Sequence, residues 1–329
     1  MIRSKKYSVA AIGNAMLDLM CEVPDQFLSQ EGIVKGVMNL VSRERSNNIL
    51  KLVRPIKETA GGSAANTIST LAKLGLKTGY IGKIADDPKG KVFKKDLLDN
   101  SIFYNTDFLD KGYTEATGKC IVLITPDKER TMNTYLGATE FLTEVDIDEE
   151  LIAQSEWLYL EGYRFDGQKS KKAFYKAIEI AKKNKTKIAI TLSDSFCVDR
   201  HRSDFIYLLN VSADMVFCNE DELKSLYQIE DIKKAGEFIN ESISCLACTC
   251  AEKGAYLFHG SSVSEISTNK VAVVDTTGAG DSFAAGFLYG LSKNFTFDKC
   301  ATIGNVIAGE VLKVYGPRVE KSLKNLVMS

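Results

Sequence analysis

The sequence predicts a three-layer α/β/α fold with a mainly parallel central sheet and a small β-rich second piece. Three observations point there. From residue 157 onward, short apolar runs alternate with helical periods, as expected of parallel strands covered on both faces. Two stretches, 15–44 and 112–136, break that rhythm, and the second reads as a β-hairpin. The chain has 329 residues, 45% hydrophobic and 26% charged, enough to build one large domain and a small one.

The elements follow in order. Residues 9–12 read as a buried first strand. The basic start, 1–6, mimics a signal peptide, but the apolar run behind it is short and meets Asn14 and Asp18. Ser63 is placed to cap a helix that turns Ala64, Ala65, Ile68, Leu71 and Ala72 inward and stops at Gly75. A strand at 78–81 precedes an amphipathic helix over 88–100, with Val92, Phe93 and Leu97 inward. The hairpin runs along 120–124, turns at Pro126-Asp127-Lys128-Glu129 and returns over 130–136. Then come a strand at 157–160, a helix over 170–183, a strand at 187–192, a helix near 203–209 and a strand at 215–218. Helices near 220–241 and a strand at 245–249 follow. A strand at 271–274 hands over to a helix over 279–292, and a last helix spans 297–314. No linker, repeat or low-complexity segment interrupts the series.

Composition excludes several functions. Net charge is −1 with no single-sign block, which speaks against nucleic acid or an acidic membrane surface as partner. No apolar run is long enough for a membrane span. Eight cysteines are scattered through mostly apolar segments, which suits reduced thiols and a cytoplasmic protein. Cys245, Cys248 and Cys250 have a zinc-like spacing, but their segment reads as a buried strand and lacks a second close pair. The two histidines, His201 and His259, are expected at the surface. Acid–base chemistry then falls to carboxylates.

Asp275-Thr276-Thr277-Gly278-Ala279-Gly280-Asp281 carries the strongest chemical signal. Small residues at a strand-to-helix turn let a phosphate approach the backbone, and the helix N-terminus offers amides and a positive dipole end. A carboxylate in the same turn, Asp281, can take a proton from a hydroxyl while those amides hold a transferring phosphoryl group. Such a turn also serves plain packing, with Asp as a dipole partner. The chain has neither G-x-x-x-x-G-K-[ST] nor a G-x-G-x-x-G that opens a helix after a strand.

Asp275 to Asp281 resembles the C-terminal signature of the ribokinase family, the phosphofructokinase-B type of carbohydrate and nucleoside kinases. Thr59-Ala60-Gly61-Gly62-Ser63-Ala64-Ala65-Asn66 resembles its Gly-Gly motif. Gly13-Asn14-Ala15-Met16-Leu17-Asp18 resembles its opening strand, and Asn219-Glu220-Asp221-Glu222 its Asn-x-x-Glu element. All four stand in family order across most of the chain. The resemblance implies a ribokinase-like fold in which 15–44 and 112–136 form a β lid over a large domain of 1–14, 45–111 and 137–329. A lid makes sense where water must be kept from a γ-phosphate.

The resemblance also assigns roles. Asp281 becomes the base, and Gly278, Ala279 and Gly280 the amides for the phosphoryl group. Asp18 holds two vicinal hydroxyls, with Gly61, Gly62 and Asn66 completing that subsite. Asn219 and Glu222 organise Mg²⁺ and the ATP phosphates through water, although Asn with Glu three residues on is also a helix cap. Thr249 and Gly254 match a strand-end Thr and the last Gly of a Gly-x-x-Gly whose first Gly is Ala251 here. Asn305 falls where the family lines the adenine pocket, and Asp275 where a monovalent cation such as K⁺ can bind. Arg130 stands in the hairpin, near the phosphates or simply exposed.

Details lean to a nucleoside acceptor and resemble the adenosine kinases. Asn14 and Asp18 match their opening motif, and Thr117-Gly118-x-Cys120 their lid strand. Met132, Thr134 and Leu136 share one strand face, thin and apolar enough for a purine. Tyr163 is placed to stack on a base or to fill the core. The implied reaction converts ATP and adenosine to ADP and AMP. The alternatives are a sugar or sugar-acid kinase of the same fold, or a catalytically silent nucleoside-binding protein. Monomer and homodimer both stay open.

Overall fold

The computed structural model describes residues 5–239 and 243–327. Among them the strands are β1 (Tyr7–Ile12), β2 (Met16–Glu22), β3 (Met38–Leu40), β4 (Lys57–Gly61), β5 (Thr78–Ile81), β6 (Phe103–Tyr104), β7 (Gly118–Ile124), β8 (Arg130–Tyr135), β9 (Ser155–Glu161), β10 (Lys187–Thr191), β11 (Met215–Asn219), β12 (Cys245–Thr249), β13 (Ala255–His259) and β14 (Ser262–Ile266). The helices are α1 (Asp25–Gln30), α2 (Arg43–Leu52), α3 (Ser63–Lys73), α4 (Pro88–Asp99), α5 (Glu149–Ala153), α6 (Gln168–Lys183), α7 (Ser195–Ser212), α8 (Glu220–Tyr227), α9 (Ile232–Gly236), α10 (Ala279–Ser292) and α11 (Phe297–Val311).

The large sheet runs β14-β13-β12-β11-β10-β9-β1-β5-β6, parallel from β12 to β6 and antiparallel at β13 and β14. Period-two alternation sends its side chains into two cores. Val9, Ala11, Trp157, Tyr159 and Ala189 face one side, with Leu71 of α3, Phe287 of α10 and Ile307 of α11. Ala10, Ile12, Leu158, Leu160 and Ile190 face the other, with Phe174 of α6 and Phe205 of α7. Both faces being covered explains why these strands read as unbroken apolar runs.

The small sheet runs β3-β8-β7-β2-β4. Its outer face packs Leu19, Cys21, Ile121 and Leu123 under Leu28 of α1 and Ile49 of α2. Its inner face presents Met16, Met20, Cys120, Val122 and Ile124.

Several expectations need correction. Residues 57–61, placed with the large domain, pair with β2 in the small sheet. Helix α2 covers that sheet too, so the boundary at residue 45 cuts through one helix. Residues 271–274 form no strand; they lie in a loop held by Val274 N–H on Leu312 O at 2.8 Å. Val92 is exposed. The helix near 203–209 is the second half of α7, whose His201 is non-helical. Neither histidine is fully at the surface: His201 is half-buried against Asp166 Oδ1 at 2.8 Å, and half-buried His259 packs on Phe297. The last helix stops at Val311. The expected end of the 220–241 helices, at 240 and 241, lies outside the described residues, as do residues 1–4 of the basic start. No helix among the described residues is long and apolar enough to cross a membrane.

Candidate active site

A cavity of about 240 Å³ opens at the C-terminal ends of the parallel strands, where Glu161, Thr191, Asn219 and Thr249 meet Gly278 and Gly280 of the α10 N-terminus. This is the edge at which open α/β sheets receive ligands, because strand ends and helix N-termini converge there. The small sheet roofs it with Met16, Asp18, Cys120, Val122, Arg130, Met132, Thr134 and Leu136.

The floor is polar and tightly connected. Asp281, in the first turn of α10, accepts from Ser63 Oγ at 2.6 Å on Oδ1 and from Asn66 Nδ2 at 3.0 Å on Oδ2. Burial pushes its pKa up, and these two hydrogen bonds work against that rise. Ser63 therefore does not cap α3. Gly62 does, at φ +93°, and the Ser63 hydroxyl is spent on Asp281 instead. Gly278 caps α10 at φ +78°, in the left-handed region that favours glycine, and a Cβ there would meet Pro317 Cα at 2.7 Å. Nothing lies within 4 Å of a Cβ built on Gly280, so that turn is open. The Ala279 N–H already donates to Thr276 O at 3.3 Å, and Ala279 is absent from the cavity lining; it drops out of the expected phosphoryl-facing set.

The residues expected at a diol subsite lie around Asp18. A Cβ on Gly61 would sit 2.1 Å from the Asp18 carboxyl carbon, so the glycine makes room for this carboxylate rather than lining the cavity. Burial raises the Asp18 pKa to about 7; Arg318 and Arg130 pull it down and Asp281 pushes it up. Asn14 lines the cavity at the end of β1, its Oδ1 accepting from Arg164 Nη1 at 2.7 Å. Its backbone N–H donates to Glu161 Oε1 at 3.2 Å, while Glu161 Oε2 accepts from Ala64 N–H at 2.8 Å. Glu161 thus ties β1, β9 and α3 together, and burial lifts its pKa to about 7.

At the other end, Asn219 and Glu222 form a full capping box. Asn219 Oδ1 accepts the Glu222 N–H at 2.8 Å, Glu222 Oε2 accepts the Asn219 backbone N–H at 3.2 Å, and Glu222 Oε1 accepts from Asn219 Nδ2 at 2.8 Å. Both still line the cavity, beside Thr249, and burial raises the Glu222 pKa to about 8. Gly254 and Asn305 lie outside the lining. Gly254, at φ +98°, leaves no room for a Cβ beside Ile266 O, and Asn305 Nδ2 donates to Ser267 O at 3.1 Å and Ile266 O at 3.3 Å. Ala251, where a glycine was expected, takes a left-handed φ of +46°. Asp275 also lies outside the lining: Oδ1 accepts from Thr277 N at 2.9 Å and Oγ1 at 2.7 Å, and Oδ2 from Gly316 N at 2.8 Å.

Asp18 and Arg130 aside, the roof is mostly apolar. Met16, Met38, Val122, Met132 and Leu136 surround Cys120, whose Sγ accepts from Thr134 Oγ1 at 3.4 Å and whose pKa burial pushes up to about 12. Half-buried Arg130 points into the cavity rather than to solvent, and half-buried Tyr163 lines the wall.

Residues 32–323 match the family model described as pfkB family carbohydrate kinase. The chain belongs to that family. An adenosine kinase from Sinorhizobium meliloti shares its structure at TM-score 0.94 and 38% identity, over 98% of each chain. A probable sugar kinase from Rhizobium etli CFN 42 does so at TM-score 0.94 and 36% identity, again over 98% of each. The 5-dehydro-2-deoxygluconokinase of Listeria monocytogenes is 30% identical over 288 residues, 80% of this chain and 86% of the relative. The protein is an ATP-using kinase of the ribokinase type that phosphorylates an alcohol on a carbohydrate or nucleoside.

Sequence reasoning missed four residues of this kinase. Glu161 was visible only as an acid ending the apolar run Trp157-Leu158-Tyr159-Leu160. Arg164 and Asp166 sit in the 3₁₀ turn that follows; Asp166 lines the cavity, held by Arg200 and His201. Arg318, buried, donates to Asn66 Oδ1 at 2.9 Å from 252 residues away, a separation no local pattern reveals.

Proposed function

We propose that this kinase transfers the γ-phosphoryl group of ATP to the 5′-hydroxyl of adenosine. The observation that carries the reading is the apolar roof. Met16, Met38, Val122, Met132 and Leu136 offer a flat, polarisable surface to a purine, with Asp18 beside it for a ribose diol. The structural likeness to an adenosine kinase at 38% identity supports the same acceptor.

Asp281 takes the hydroxyl proton as the acceptor oxygen bonds to the γ-phosphorus and the bond to the β–γ bridging oxygen breaks, releasing ADP. Gly278 and Gly280 face the transferring group with backbone amides. Asn14, Asp18, Gly62 and Asn66 orient the nucleoside, Gly61 makes room for Asp18, and Cys120, Met132, Thr134, Leu136 and Tyr163 enclose the base. Asn219 and Thr249 meet the ATP phosphates. Gly254 and Asn305 shape the neighbouring surface for adenine through the 266–267 backbone.

Glu222 fits Mg²⁺ held through water: it is a cavity carboxylate already oriented by Asn219, and the ion would supply charge neutralisation for the phosphates. Asp275 Oδ1 is engaged by Thr277 twice and Oδ2 by the Gly316 N–H alone, so one carboxylate site stays open through which Asp275 would hold K⁺. We infer a cytoplasmic enzyme that works on small molecules alone.

A sugar-acid acceptor is the second reading. The Listeria relative's name favours it, and Arg130 is a cation in the cavity that a carboxylate could pair with. Coupled ADP release over a panel of nucleosides, sugars and keto-sugar acids decides between them. Turnover on adenosine is expected; turnover on a sugar acid and none on adenosine would sink the first reading.

A further inference from the structure

Residues 316–318 close on the floor of the site from behind. Gly316 N–H donates to Asp275 Oδ2 at 2.8 Å. Pro317 lies where a Gly278 Cβ would be, its carbonyl oxygen 2.7 Å from that position. Arg318 Nε donates to Asn66 Oδ1 at 2.9 Å. Three consecutive residues therefore touch the loop before α10, the cap of α10, and α3.

The last contact settles which way Asn66 faces. A carboxamide can turn over and exchange its donor for its acceptor. Arg318 carries donors only, so it can engage Oδ1 alone. With Oδ1 held there, Nδ2 is left to donate to Asp281 Oδ2, at 3.0 Å. Turned over, Asn66 would set an oxygen against a carboxylate oxygen with no proton between them. Arg318 is itself anchored on its far side by an ion pair to Asp96 of α4. A lysine has one nitrogen and cannot span both partners.

We propose that Arg318 is a positioning residue for phosphoryl transfer: it keeps Asn66 a donor to Asp281 and so fixes the carboxylate that receives the acceptor's proton. This rests on the reading of Asp281 as base. The Arg318 charge also draws the pKa of Asp281 down, after burial has raised it. The other charged or titratable groups acting on Asp281 are Asp18 of β2, Arg130 of β8, Tyr159 and Glu161 of β9, and Glu222 of α8.

The test compares Arg318→Met, Arg318→Lys and Asp281→Asn in the full chain, with the acceptor that the panel identifies, from pH 5.5 to 9. Arg318→Met is expected to lower kcat by roughly tenfold to a hundredfold. KM for ATP should hold within about twofold, since no ATP contact is touched. The acid limb of kcat should move to higher pH. Arg318→Lys should return the limb and recover only part of kcat, because charge comes back without the two-point grip. A residue that merely supported the fold would lower thermal stability and leave the limb in place, and that result overturns the proposal. So does wild-type kcat in Arg318→Met alongside a dead Asp281→Asn, which leaves the base reading intact. A fully active Asp281→Asn removes the base reading itself. Should Arg318→Met fail to fold, Asp96→Asn frees the outer anchor and is expected to lower kcat by about twofold to tenfold with KM for ATP held; an unchanged kcat overturns the proposal.

Discussion

The floor and the roof of the cavity are built on opposite principles. The floor is a network of directional bonds: Ser63 and Asn66 donate to Asp281, Arg318 donates to Asn66, and Glu161 accepts from Ala64 and Asn14. Apart from Asp18 and Arg130, the roof is a sheet face of methionines and Val122, with the adjoining Leu136 and a Cys120 that accepts from Thr134. Directional bonds hold a reacting carboxylate to within fractions of an ångström, whereas a methionine face adapts to what is laid on it. The comparison teaches that rate should reside in the floor and acceptor choice in the roof.

The sharpest way to break that division is Asp281→Asn, expected to lower kcat by about a hundredfold to ten-thousandfold without loss of fold. Steady-state rates with a thermal melt check it; comparable rates would end the division. Asp18→Asn comes next. It removes a charged hydrogen-bond acceptor from the cavity, so KM for the phosphoryl acceptor should rise about tenfold to a hundredfold, from roughly 1.5–3 kcal/mol lost. Met132→Ala should raise KM for the phosphoryl acceptor by about threefold to tenfold and barely touch kcat. A fall in kcat with KM unchanged would put the roof in the chemistry.

The smallest effect is on stability. Asp18, Glu161 and Glu222 are buried carboxylates whose pKa values burial raises to about 7, 7 and 8. A carboxylate raised on folding binds its proton more tightly in the native state. Its contribution is then fully present below the unfolded value near 4 and is lost as pH rises through the folded value. The ligand-free kinase should therefore melt at higher temperature at pH 6 than at pH 8. Glu222→Gln should flatten that slope, and a melting temperature that rises from pH 6 to 8 contradicts these shifts.

Legibility differed between the same two regions. The alternation from residue 157 announced the large sheet because each parallel strand is buried on both faces. The small sheet was blurred. Lys57–Gly61 carries no apolar alternation, and its place beside β2 comes from pairing rather than from its own residues. The expected strand at 271–274 failed for the converse reason: Val271, Ala272, Val273 and Val274 are β-prone, yet Val273 is exposed and no strand among the described residues pairs with them. In the site, Gly278, Gly280 and Asp281 were readable because small residues, a helix start and an acid follow one another directly in the chain, and all three line the cavity.

By itself the sequence determined the parallel α/β core, the glycine turn with its acid, and the order of the motifs, all properties of neighbouring residues. The tertiary structure alone decided that Ser63 serves Asp281 and not its own helix, that Arg130 turns inward, and that Arg318 reaches Asn66. Hydrogen bonds between residues hundreds of positions apart depend on where folded surfaces meet, and local periodicity holds no record of that meeting.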